Sequence, residues 1–138
     1  MPAGYSSRSL VEKLGIGPGA RIAIVNEPRG YRATLGKLPA GVRVAIVARG
    51  RGSLPFIQFF TTSRRALEAR FDALVRALAS GGALWVSWPK RASGVTTDMT
   101  EDVVRAVALP RGLVDVKVCA VDEVWSGLKL VRRRKNRT

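Results

Sequence analysis

Short, almost wholly apolar runs alternate with amphipathic stretches along this chain, and the alternation predicts its elements. Arg21 to Asn26 (RIAIVN), Val42 to Ala48 (VRVAIVA), Pro55 to Thr62 (PFIQFFTT) and Ala83 to Trp88 (ALWVSW) are strand-length runs too apolar to leave one face in water. Between them lie helical patterns. Ser9 can cap a short helix whose stripe is Leu10, Val11 and Leu14, and Gly15, Gly17, Pro18 and Gly19 stop it. Tyr31 to Leu38 reads as a second short helix. The clearest helix follows Ser63, with Leu67, Phe71, Leu74, Val75 and Leu78 on one face and Gly81-Gly82 at its end. A fourth starts near Asp98, where Asp98 and Glu101 have capping-box spacing, and buries Val103, Val104 and Val107 before Pro110 and Gly112. Val114 to Val121 and Trp125 to Val131 are two last strands, joined closely enough at Asp122-Glu123 to be antiparallel.

Strands this apolar, alternating with helices, predict an α/β fold: a three-layer, mostly parallel sheet of about six strands with a C-terminal antiparallel hairpin. One domain over residues 1–131 is expected, followed by a basic, disordered tail over 132–138. The longest aliphatic runs, such as Val44 to Ala48, fall far below the roughly 20 residues of a membrane span. The N-terminal stretch lacks the apolar segment of a signal peptide, so no membrane contact and a cytoplasmic location are expected.

Composition narrows the chemistry. The chain has 138 residues, one Cys and no His, which removes a disulfide framework, ordinary zinc sites and His-based triads; no metal site is expected. Lys and Arg number 24 against 10 acids, a net charge of +14. Between Glu27 and Glu68 there is no acid, while Arg29, Arg32, Lys37, Arg43, Arg49, Arg51, Arg64 and Arg65 add eight positive charges. Arg132, Arg133, Arg134, Lys135 and Arg137 add five more, so the body alone carries 14 − 5 = +9. Such a field attracts nucleic acid or another polyanion, with those five tail residues as contacts, although an Arg-rich surface also serves solubility alone.

In open α/β sheets, ligands bind beyond the carboxyl ends of the strands. That rule nominates Asn26 and Glu27, Arg49 to Gly52, Thr61 to Ser63, and Trp88 to Thr97. In the last stretch Lys90 and Arg91, the hydroxyls of Ser93, Thr96 and Thr97, and Gly94 immediately precede a predicted helix N-terminus. Exposed N–H groups and cations there favour phosphate, sulfate or carboxylate, and Asp98 works against it. Trp85 and Trp88 point to opposite faces of their strand, Trp85 into the core and Trp88 as a candidate stacking surface. Trp125, beside Ser126 and Gly127, reads as half-buried edge packing, with a second stacking platform as the alternative, and Cys119 as a buried small hydrophobe. Glu27 with Asp122 or Asp98 is a weak candidate carboxylate pair.

The stretch Gly81 to Val131, with SWPK at 87–90, SGV and TD at 93–98 and VDEVWSGLKLV at 121–131, resembles a bacterial family known only as a domain of unknown function. The similarity continues in Gly4-Tyr5, Leu10 to Gly19 and Arg21 to Tyr31, and departs at Arg49 to Leu54, where the family is more acidic. The resemblance implies a truncated, Rossmann-like fold of the S-adenosylmethionine methyltransferase type. Such enzymes carry a glycine-rich turn after the first strand and an acid at the end of the second. Here those places hold Asn26-Glu27-Pro28-Arg29-Gly30-Tyr31 and Arg49.

No cofactor is therefore expected, with S-adenosylmethionine the one that the resemblance leaves open. The leading expectation is a non-catalytic, methyltransferase-like domain that binds an anionic partner, nucleic acid or a phosphate-bearing ligand. One alternative is a small atypical transferase or methyltransferase using Glu27, Trp88, Lys90, Ser93, Thr96 and Asp122. Another is a structural module that forms a homo-oligomer through its terminal strand.

Overall fold

The computed structural model of the chain describes residues 8–134. Its strands are β1 (Arg21–Val25), β2 (Arg43–Ala45), β3 (Leu54–Phe60), β4 (Leu78–Pro89), β5 (Leu113–Ala120) and β6 (Trp125–Arg132). They form one sheet in the order β2-β1-β3-β4-β6-β5. The first four are mutually parallel, β6 is antiparallel to β4, and β5 is antiparallel to β6. Helices α1 (Leu10–Leu14) and α2 (Tyr31–Leu35) cover one face; α3 (Arg64–Ala77) and α4 (Glu101–Ala108) cover the other. The expected three-layer architecture with its antiparallel C-terminal hairpin is therefore the observed one. No helix among the described residues is long and apolar enough to cross a membrane.

Two cores flank the sheet because β3 and β4 are apolar on both sides. Ile57, Phe59, Leu84 and Val86 pack under α3 and α4 with Leu67, Phe71 and Val104. Phe56, Phe60 and Trp85 pack under the short helices with Leu14, Ile24 and Tyr31. Trp85 and Trp88 fall into opposite cores, and Cys119 is a buried member of the α1–α2 core, where burial pushes its thiol up from the ordinary value. Gln58 is fully buried at mid-sheet. It accepts from the Tyr31 hydroxyl at 2.6 Å and donates to Ser87 Oγ at 3.2 Å, so its amide crosses between strands with both ends satisfied.

Four boundaries differ from the sequence pattern. The strand expected to run to Ala48 stops at Ala45, level with Ala23 and two residues short of the end of β1. Only residues 46–53 return the chain to β3, too few for the usual helical crossover, so β2 is cut short and Ile46 is left 71% exposed. The second helix ends at Leu35 rather than Leu38, with Gly36 at φ 79°. The helix expected to reach Gly81 ends at Ala77, because Leu78 turns extended and pairs with Leu54. The last helix starts at Glu101 with Thr100 as its cap, whose side chain accepts from Val103 N at 3.1 Å. Asp98 does not cap this helix; it accepts from Arg64 N at 2.8 Å, at the start of α3.

The basic tail also begins later than its charge suggests. Arg132 belongs to β6, and its guanidinium donates to the carbonyls of Val75, Leu78 and Ala79 at 2.6–2.9 Å. Those carbonyls lie at the junction where α3 gives way to β4. Arg133 donates to Leu109 O at 2.8 Å. Arg134 is exposed, and Lys135 and Arg137 lie outside the described residues.

Close packing at the β4–β6 pairing rests on Gly127, where a Cβ would meet Trp85 Cε3 at 3.1 Å and Val121 Cγ2 at 3.2 Å. Gly127→Ala should therefore lower stability by about 1–3 kcal/mol, read by denaturant unfolding. An unchanged midpoint would show that Trp85 can give way.

Candidate functional site

β1 and β3 flank the place where the sheet order reverses, with β2 on one side and β4 on the other. Ligands of doubly wound folds bind at the carboxyl edge of such a point. Asn26 closes β1 there at φ 59°, the left-handed region that Asn tolerates better than most residues. Its Nδ2 donates to Phe60 O at 3.2 Å, tying the ends of the two strands together. Glu27 is paired with Arg32 at 3.0 Å. Beneath them Tyr31, Phe60 and Trp125 stack edge to face, with centroids 4.8 and 5.1 Å apart. Trp125 is half-buried, in keeping with its expected packing role.

Further along the same edge, a cavity of about 410 Å³ opens where β4 ends beside the start of α4. Trp88, Lys90, Arg91 and Thr97 all line it, together with Met99, Glu101 and Ser126. Lys90 reaches sideways, and its Nζ donates to the Asp122 carbonyl at 2.6 Å, which leaves two of its three N–H groups for another acceptor. Arg91 opens a single 3-10 turn over Arg91–Ser93 that ends at Gly94, φ 76°. Ser93 holds this turn rather than facing a ligand: its hydroxyl donates to Lys90 O at 2.6 Å and accepts from Val95 N. Thr97 Oγ1 donates to Thr62 O at 2.6 Å and accepts from Met99 N, anchoring the loop to the end of β3. Gly94 and Thr96 are exposed and do not line the cavity.

The helix N-terminus expected beside this loop is already neutralised. Thr100 caps it, and Glu101 and Asp102 occupy its first turn. Glu101, the cavity's one carboxylate, is bonded to Arg105, which also holds Asp102 and Asp115 at 3.1 and 3.0 Å. That guanidinium keeps the Asp115 carboxyl below the usual carboxylate range. Positive charge at the cavity thus comes from Lys90 and Arg91, not from the helix dipole. Trp88 is only 6% exposed and packs into the α3–α4 core, so it is a floor and not an open stacking surface.

The nominated residues therefore divide into three places. Trp88, Lys90, Arg91 and Thr97 come together; Asn26 and Glu27 stand at the switch point. Arg49 lies in the return crossover, its carbonyl accepting from Ser53 Oγ at 3.2 Å just before β3 begins. The expected carboxylate pair does not form: Glu27 holds Arg32, Asp98 holds Arg64 N, and Asp122 Oδ1 accepts from Val124 N and Trp125 N at 2.8 and 2.7 Å, shaping the hairpin turn. Ser126 was invisible to sequence reasoning. It reaches the cavity only because Trp88 pairs with it across β4 and β6. No group of three or more His, Cys, Asp or Glu that could hold a metal ion occurs among the described residues.

Solved structures superpose on this arrangement over most of its length. A SAM-dependent methyltransferase from Aquifex aeolicus aligns with a TM-score of 0.61 at 13% identity, covering 88% of this chain and 86% of its own. The fold is that of the SAM-dependent methyltransferases. Magnesium protoporphyrin IX methyltransferase from Synechocystis, solved with bound SAM, aligns with a TM-score of 0.56 at 10% identity over 90% of this chain and 74% of its own. A protein of the NADB-Rossmann superfamily from Streptococcus agalactiae aligns with a TM-score of 0.51 at 14% identity over 100% and 73%. No family model matches the sequence, and no curated protein matches it. The methyltransferase-like fold implied by the resemblance is thus the one found.

Two contacts that such a fold gives S-adenosylmethionine are missing from this chain's own residues. The turn after β1 has Pro28 and a single glycine, and Asn26 bridges the crevice to Phe60. β2 stops below the carboxyl edge, and no acid occurs between Ala45 and Ser53 to hold a ribose. The glycine-rich turn and strand-end acid that the resemblance implied are therefore not found at these two places.

Desolvation drives the buried Tyr31 hydroxyl well above its ordinary value, so it stays a proton donor to Gln58. A raised folded value means that this stability is fully present below about pH 10 and is lost as pH climbs above it. Tyr31→Phe should cost about 1–3 kcal/mol by leaving the buried Gln58 oxygen unpaired. It should also flatten the alkaline limb of a pH–stability curve, and an identical limb would assign that limb to other groups.

Proposed function

We propose that this chain is a non-catalytic, methyltransferase-like domain that binds a phosphate-bearing ligand in the cavity at the end of β4. One observation carries the reading: Lys90, Arg91 and the Ser126 hydroxyl surround a cavity whose single carboxylate is engaged by Arg105. The donors outnumber the acceptors there, and charge-assisted hydrogen bonds to an anion are the strong kind. The same engagement favours binding over catalysis, since it leaves the Glu101 carboxylate held by Arg105 rather than free to take a proton from a bound ligand. Trp88, Val95 and Met99 supply an apolar wall for the uncharged part of the ligand.

Calorimetry with inorganic pyrophosphate and with adenosine monophosphate tests this. Binding is expected to weaken about tenfold in Arg91→Gln and at least as much in Lys90→Gln, one lost charge-assisted bond each. Arg91 is exposed, so its variant keeps the fold even if loss of the Lys90–Asp122 bond loosens the hairpin. Absence of binding by both probes would defeat the proposal.

The second reading is a SAM-dependent methyltransferase with an atypical site, favoured because relatives in fold were solved with SAM and with SAH. Calorimetry with both molecules separates the readings. Neither is expected to bind. Heat of binding with either, lost in Asn26→Ala, would replace the binding-domain reading with the enzyme.

A further inference from the structure

The opposite end of the sheet carries a different feature. Parallel strands share their starting edge, and at this amino edge Arg21 opens β1 and Arg43 opens β2. Arg49 and Arg51 lie in the crossover before β3, Arg76 near the end of α3, and Arg111 just before β5. Gly52 N donates to Arg76 O at 2.8 Å, which fixes the crossover beside the end of α3. All six are exposed. Among the described residues, Arg111 alone of these six has a carboxylate partner, Asp72 at 3.8 Å and 82% exposed.

Arg21 and Arg43 are direct register partners on neighbouring parallel strands, so their side chains leave the same face. Like charges placed directly opposite destabilise a sheet. Between them is a hollow of about 250 Å³, lined also by Ile22, Val44 and Leu54. Two unpaired guanidiniums flanking a hollow form a fork for one phosphate, which would relieve their repulsion.

We propose that this amino edge docks the phosphate backbone of a nucleic-acid duplex, with one phosphate held between Arg21 and Arg43. Six strands span five gaps of about 4.8 Å, so the edge is about 24 Å long, the rise of about seven base pairs. Every large hydrophobic side chain exposed among the described residues is aliphatic. Single-strand binders stack bases on aromatic rings, and protein interfaces are anchored by them; neither platform is present at this edge. What remains is backbone recognition without sequence preference. The inference does not rest on the cavity at the end of β4, which faces the other way.

The test is fluorescence anisotropy of the full chain with a labelled duplex of about 20 base pairs between roughly 50 and 200 mM salt. Five phosphates neutralised give a log–log salt slope near −4.5. Arg21→Gln/Arg43→Gln, which removes the one shared phosphate contact, should reduce that slope by about 0.9, and Arg51→Gln/Arg76→Gln, which removes two, by about 1.8. Arg29→Gln/Arg65→Gln removes the same net charge from the carboxyl edge and should leave the slope unchanged. Equal effects of all three double variants would reduce the finding to net charge and overturn the site. So would the absence of binding at 50 mM salt, or competition by poly-glutamate as effective per charge as unlabelled duplex, which would point to an acidic protein.

Discussion

The burial of β3 on both faces is the constraint on which this structure depends. Phe56, Ile57, Phe59 and Phe60 alternate between the two sides and each is at most 4% exposed. A strand of that kind requires cover above and below, and α1–α2 and α3–α4 supply it. Gln58 is the one polar side chain along it. Between Tyr31 and Ser87 it finds an acceptor and a donor at the depth where an unpaired amide would be most costly. That pair also fixes α2 against the sheet, and so the turn after β1.

The chain keeps a methyltransferase-like fold while shortening what lies at its carboxyl edge. β2 ends early because eight crossover residues (46–53) cannot reach further, and Asn26 draws β1 and β3 together. What this closes at the switch point is opened further along the edge, where β4 runs two residues beyond its last pairing with β3, to Pro89. Arginines follow the same division. Arg105, Arg111, Arg132 and Arg133 are structural, tying acids or backbone carbonyls, while Arg21 and Arg43 at the amino edge face water with no carboxylate partner among the described residues.

Much of the fold was legible in the residues. Near-continuous apolar runs marked the parallel strands, Ser63 marked the start of α3, and the brevity of Asp122-Glu123 marked the antiparallel hairpin. The misreadings share a cause: each depended on a partner far away in sequence. Asp98 had the right spacing to cap its own helix, but Thr97 Oγ1 bonds to Thr62 O and draws that carboxylate to Arg64 N at the start of α3. The Arg132–Arg133 run has the composition of a tail, and only the end of α3 beside it makes it part of the fold. Of the candidate cavity, Lys90, Arg91, Thr97 and Trp88 stood together in sequence; Ser126 and Glu101 joined through strand pairing and helix placement.

By itself the sequence determined the layers, the absence of His chemistry and the sign of the charge, because periodicity and composition are local properties. Tertiary structure decided which charges are free. A guanidinium's role depends on whether a carboxylate or an orphan carbonyl lies within hydrogen-bond reach, and that is set by register. It placed Arg49 on the return path rather than at a cofactor edge, and Arg21 directly beside Arg43.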